Sequence, residues 1–205
     1  MNNINLTVFA NFFINTEENF LRLKDSFNSF YKSNPSQWII GIRGCYKYKV
    51  KEFLLSNLDS RILFIELFDD KSNWMENSQF LFKKINFRNI LIWVEDHICQ
   101  IDEMNFRYII QDFEIYNIDQ MNYSFWHLAL QKKIDFLNPV ILKSFKKVEL
   151  PLNNKNYLKK NGMCFINSLQ GIYSKRILKE LLFTNRPFIK RWPRYTPFDF
   201  EKRVG

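Results

Sequence analysis

The sequence predicts an α/β fold, a mostly parallel sheet flanked by helices. Three observations carry this. Through residue 100, short apolar runs alternate with segments of helical periodicity. The runs are nearly continuous in apolar residues, as in strands buried on both faces. The helical segments between them are about ten to sixteen residues long, the length that a crossover between parallel strands requires.

The elements follow in order. Residues 6–13 are β-rich and apolar, and Thr16 with Glu17 and Glu18 then supplies a cap and an acidic first turn. Phe20, Leu21, Leu23, Phe27 and Phe30 continue at helical spacing. Pro35 is expected to break the chain before a second strand at residues 38–42. Val50, Phe53, Leu54 and Leu58 mark the next helix, and residues 61–68 a third strand that runs into Asp69 and Asp70. Trp74, Phe80, Leu81 and Ile85 share a helical face over residues 73–85. The fourth strand is Ile90-Leu91-Ile92-Trp93-Val94, leading directly into Glu95-Asp96-His97.

The second half is less regular. Residues 106–116 predict a helix, and residues 121–130 are ambiguous, with an aromatic run that favours a strand. Residues 143–150 predict an edge strand, 153–162 a polar loop, 163–169 a short strand and 174–182 a helix. The tail from Arg186 holds three of the six prolines and is expected to be extended. With no linker and no repeat, residues 1–205 are expected to form one domain, 1–100 binding a ligand and 101–205 forming a second lobe.

The composition narrows the function classes. Hydrophobic residues make up 46% of the chain, which argues against global disorder. No apolar stretch reaches the roughly 18 residues of a membrane span, and the first residues lack a signal-peptide pattern. Cys45, Cys99 and Cys164 are scattered, which suits a reducing, cytoplasmic compartment. The net charge of +9 is uneven: residues 143–205 hold 15 Lys/Arg against 4 Asp/Glu. Such a surplus suits solubility, a polyanionic partner, a diphosphate-bearing substrate or an anionic membrane face. No glycine-rich phosphate loop is present, which disfavours kinase and dehydrogenase readings.

Chemistry concentrates at Glu95-Asp96-His97. In open α/β sheets ligands bind beyond the carboxyl ends of the strands, and these side chains can hold a divalent cation that in turn holds a phosphate. A solvated acidic strand end is the plain alternative. The same edge should carry Asn11 after the first strand, Arg43 after the second, and Asp69 and Asp70 after the third. Arginine there could pair with phosphate and a carboxylate with a base or ribose, whereas Asp69 and Asp70 could instead cap the following helix.

An apolar strand that ends in Glu95-Asp96-His97 resembles the Asp-X-Asp motif of GT-A glycosyltransferases, which bind nucleotide sugars. Glu95 stands in the first carboxylate place and His97 in the last, where the family pattern has a second carboxylate. The resemblance implies a GT-A-like, Rossmann-type mostly parallel sheet with a C-terminal acceptor-side lobe. It implies transfer of a sugar from a nucleotide-diphosphate donor to a glycan or lipid-linked saccharide. Glu95 and His97 would hold Mn²⁺ or Mg²⁺, with Asn11, Arg43, Asp69, Asp70 and Asp96 around the donor. The stretch from Phe165 through Gly171 and Ser174 resembles the strand, turn and helix that shape the acceptor site. In inverting members a carboxylate after that helix is the base; Glu201 and Asp199 are the candidates, with Asp112 and Glu114 as rivals.

Lys190-Arg191-Trp192-Pro193-Arg194-Tyr195 mixes cations with aromatics, which suits a diphosphate with a stacked base or a single-stranded nucleic acid. In the glycosyltransferase reading Arg191 and Arg194 would face the departing nucleotide. A protein binding nucleic acid through its basic third is the rival class, though no such motif is recognised and no nucleic-acid partner is expected. A non-catalytic sugar-nucleotide-binding relative is the third reading. His127, among aromatics, reads as a core histidine. The expected location is cytoplasmic or peripheral to a membrane.

Overall fold

The structure is a computed structural model that describes residues 4–122, 139–147, 149 and 171–183. Its centre is a six-stranded sheet in the order β3-β2-β1-β4-β8-β5. The strands are β1 (Ile4–Phe13), β2 (Pro35–Arg43), β3 (Leu63–Leu67), β4 (Asn89–Ile92), β5 (Gln120–Asn122) and β8 (Gly171–Ser174). β1 to β4 are mutually parallel, whereas β8 runs antiparallel between β4 and β5. The chain is therefore α/β with a mostly parallel, Rossmann-like sheet. A separate hairpin joins β6 (Val140–Ile141) to β7 (Lys146–Lys147).

Among the described residues five α-helices flank the sheet: α1 (Glu17–Phe30), α2 (Lys47–Asn57), α3 (Trp74–Phe82), α4 (Glu103–Ile115) and α5 (Lys175–Phe183). Four starts carry a side-chain cap, in which Thr16, Asn73, Asp102 and Ser174 accept backbone N–H groups from Asn19, Met75, Asn105 and Ile177. Strand alternation divides the core in two. Val8, Phe12, Trp38, Ile40 and Leu91 face α1, α2 and α4. Phe9, Ile39, Ile90, Ile92 and Tyr173 face α3 and α5. On the first side Trp38 packs against Phe27, Phe30 and Trp93 at centroid distances of 5.5, 5.5 and 5.7 Å. Each such aromatic pair is worth about 0.5–1.5 kcal/mol beyond its buried area. On the second side α3 lies so close that a Cβ on Gly41 would meet Leu81 Cδ1 at 2.7 Å.

Four expectations are corrected. Pro35 opens β2 opposite Ile4 and does not end an element before it; a proline is tolerated as the first strand residue, and Asn34, at φ 61°, makes the turn. β4 ends at Ile92, and Trp93 gives a last N–H to Phe9 O at 2.9 Å before Val94 leaves the sheet. The segment from Lys143 forms one arm of a private hairpin and is no edge of the main sheet. Gly171 to Ser174 is an inner strand and no turn: it takes ladder partners on both sides, and Ser174 Oγ then accepts from Ile177 N at the start of α5. Residues 153–162, 163–169 and most of 121–130 lie outside the described residues.

Candidate functional site

Strand order reverses between β1 and β4. The chain steps from β1 to β2 to β3 on one side, then returns to place β4 on the other. At such a switch point the loops leaving the strand ends diverge and open a crevice for ligands. The residues beyond β4 are Trp93 to His97, so the acidic triplet sits at the switch point itself.

α1 fixes the backbone of this loop. Trp93 Nε1 donates to the fully buried Ser26 Oγ at 2.8 Å, and that hydroxyl donates to the carbonyl oxygen of His97, with Val94 O further off at 3.4 Å. Ser29 Oγ accepts from Cys99 N at 2.9 Å and donates to Ser26 O at 2.6 Å. Two serines one helical turn apart thus clamp the loop from Trp93 to Cys99. The sequence signal is a serine pair beside Leu23, Phe27 and Phe30 on the inward stripe of α1, where the apolar periodicity masks it.

Asp96 Oδ1 lies 2.7 Å from His97 Nδ1. A carboxylate on one ring nitrogen holds the proton there and leaves Nε2 as an acceptor or metal ligand. Glu95 is half-buried, and desolvation raises its carboxyl pKa above the ordinary value; the charge of Asp96 adds to this, while its own backbone N–H, His97 and Arg22 oppose it. A cation placed here would relieve that penalty.

The ends of β1, β2 and β3 form a second cluster. Asp70 accepts from Gly44 N at 2.8 Å and faces Lys47 Nζ at 3.4 Å. Its pKa is lowered, first by the Gly44 N–H and then by Lys47 and Arg43. Asp69 accepts from Lys71 N at 2.8 Å. Neither caps α3, a part taken by Asn73. Arg43 donates to Ser72 O at 2.9 Å and lies over the Phe13 ring at 5.3 Å, and burial lowers its pKa against the pull of Asp70. Gly44 stands at φ +97°, with Ile14 O against the position a Cβ would take. Asn11 is turned into α3, donating to Trp74 O and Ser78 Oγ at 2.8 Å each. Arg43, Asp69 and Asp70 are therefore brought together, while the loop of the acidic triplet is tied separately to α1.

Among the described residues no group of three or more His, Cys, Asp or Glu is placed to hold a metal ion unaided. Hard cations bound with nucleotides need only one or two protein carboxylates, because phosphates complete the shell. Glu95 and the Asp96-bonded His97 supply one carboxylate and one imidazole at this strand end. A cleft of about 270 Å³ lined by Gln37, Arg61 and Phe64 opens at the amino ends of β2 and β3, away from this edge, and holds no carboxylate or imidazole. The expected base residues Asp199 and Glu201, the cations Arg191 and Arg194, and His127 lie outside the described residues. No protein-family model matches the chain, and no curated protein is significantly similar to it.

Proposed function

We propose that the chain is a GT-A-type glycosyltransferase that binds a nucleotide-diphosphate sugar at the switch point between β1 and β4. The observation that supports this most is the division of labour in the loop after β4. The His97 carbonyl and the Cys99 N–H are bonded to Ser26 and Ser29, so His97 Nε2 and the Glu95 carboxylate are not needed to hold the loop, while Asp96 is bonded to His97 Nδ1. Glu95 and His97 Nε2 would hold Mn²⁺ or Mg²⁺, which when bound would neutralise charge on the leaving diphosphate. Asp96 keeps His97 in the tautomer that offers Nε2.

Arg43, Asp69 and Asp70, at the neighbouring strand ends, would border the donor, and Asn11 would act from below by holding α3. A carboxylate of the C-terminal lobe, Glu201 or Asp199, would take the proton from an acceptor hydroxyl as it attacks the anomeric carbon. The acceptor class is a glycan or lipid-linked saccharide. Calorimetry with UDP-, GDP- and TDP-ligands tests the reading. Binding of one of them should depend on Mn²⁺, and Glu95→Ala and His97→Ala should each weaken it at least about tenfold, with His127→Ala far milder. Failure of every nucleotide to bind, with or without metal, sinks the proposal.

A further inference from the structure

β3 is an edge strand: among the described residues it pairs with β2 alone. Its bonds to β2 fix which of its main-chain groups remain. Ile62 O accepts from Trp38 N at 2.7 Å and Phe68 N donates to Ile42 O at 3.0 Å, at the two ends of a ladder that pairs Ile65 with Ile40. Along a strand, the N–H and C=O of one residue point to one neighbour and those of the next residue to the other. Ile62, Phe64, Glu66 and Phe68 are therefore turned to β2. Leu63, Ile65 and Leu67 present their N–H and C=O groups at the open edge.

The side chains are those of an inner strand. Leu63, Ile65 and Leu67 pack on the core that faces α1, α2 and α4, and Phe64 and Phe68 on the core that faces α3 and α5. An edge that is apolar on both faces invites another strand. The exception is Glu66, half-buried between Phe64 and Phe68 on the α3 side. Among the described residues no cation lies within ion-pair distance of its carboxylate. Lys84 stands by the same edge with its Nζ 5.3 Å from the centroid of the Phe64 ring and 5.8 Å from that of Phe80, and it too has no carboxylate among the described residues.

We infer that β3 is the interface of a two-fold dimer, in which it pairs antiparallel with β3 of a second copy about Ile65. That register sets Ile65 opposite Ile65 and Leu63 opposite Leu67, so each outward residue meets an outward residue and exchanges two hydrogen bonds with it. It also sets Phe64 directly opposite Glu66 on the same face, with Cβ atoms about 5 Å apart. The second copy's carboxylate thus arrives at the ring over which Lys84 lies, and the two-fold axis forms the same ion pair twice. A parallel copy in register would set Glu66 against Glu66, and a strand with no cation beside it would leave the acid half-buried and unmatched. Glu66 therefore discourages other strands and admits this one. The inference rests on this edge and does not need the glycosyltransferase reading. In such a dimer the loops after β4 open at opposite ends of one continuous sheet, so neither covers the other.

Sedimentation velocity of the full chain tests it, with an expected particle of twice the 25.0 kDa of one chain. Glu66→Lys and Lys84→Glu should each weaken dimerisation at least about tenfold, because like charges then face each other at both ion pairs. Mixed one to one, the two variants should form a heterodimer of parental affinity, a rescue that misfolded chains could not give. Amide hydrogen exchange reads the register. The N–H groups of Leu63, Ile65 and Leu67 should exchange slowly in the parent and fast in either variant alone, while those of Phe64, Glu66 and Phe68 stay protected in all three. A parent that stays monomeric at high concentration, or a dimer indifferent to both charge reversals, overturns the inference. So does protection of the outward amides in a monomer, since another segment of the same chain would then be what covers the edge.

Discussion

Two acidic loops leave the same edge of the sheet, and they spend their hydrogen bonds in opposite ways. After β3, Asp70 gives its carboxylate to the Gly44 N–H and Lys47, and Asp69 gives its own to Lys71 N. The acids there hold the backbone. After β4, serines from α1 hold the backbone, and Asp96 bonds the neighbouring His97 ring instead. A carboxylate at a strand end is thus no indication of a site until the bonding of its own loop is known. In the second loop it is serines, and not the acids, that hold the backbone, and Glu95 carries a desolvation cost there.

Three substitutions test this contrast. Gly44→Ala should have the largest effect. It forces a side chain into φ +97° with Ile14 O only 2.3 Å from the new Cβ, and should cost about 3 kcal/mol in urea unfolding. The folded fraction should keep the nucleotide affinity of the parent; a parallel loss of affinity would show that the two loops act as one. Ser26→Ala comes next, at about 2 kcal/mol, because Trp93 Nε1 and the His97 carbonyl lose a buried partner. Here affinity should fall as well, by about tenfold, since the loop loses its anchor. Unchanged affinity would break the argument that α1 organises the site.

The smallest effect has the opposite sign. Glu95→Gln should remove metal-dependent nucleotide binding yet stabilise the free protein at neutral pH, on the order of 0.5 kcal/mol. Its folded pKa lies above the ordinary value of 4.5, so the folded state pays for the charged form. That penalty is fully present above the folded pKa, shrinks as pH falls through it and is gone below 4.5. The stability gap between parent and variant, followed by thermal melts across acid pH, should therefore close on acidification. A gap that widens would show that the Glu95 charge is well solvated.

Much of the first half was legible because its signals are local. Parallel strands buried on both faces need apolar runs, and the runs of β1 to β4 and the stripes of α1 to α4 show directly in the chain. What escaped depends on distant partners. Gly171 to Ser174 is too short and mixed to announce an inner strand; only β4 and β5, far away in sequence, make it one. Pro35 carries the local signature of a break, but its missing N–H costs nothing where the strand begins. Glu95-Asp96-His97 could be found from its place after an apolar strand. The serines that free those side chains could not, because a polar residue inside an amphipathic stripe does not name its partner.

The antiparallel β8 also sets a timetable. β1 to β4 can pair as soon as they leave the ribosome, but the outer edge of β4 stays open until residue 174 has been made, and β5 must wait for the same strand to give it a place. During that interval an apolar strand offers unpaired N–H and C=O groups to any neighbour. Nascent chains halted before Gly171 should accordingly be the aggregating species, and those that have released Ser174 the soluble one.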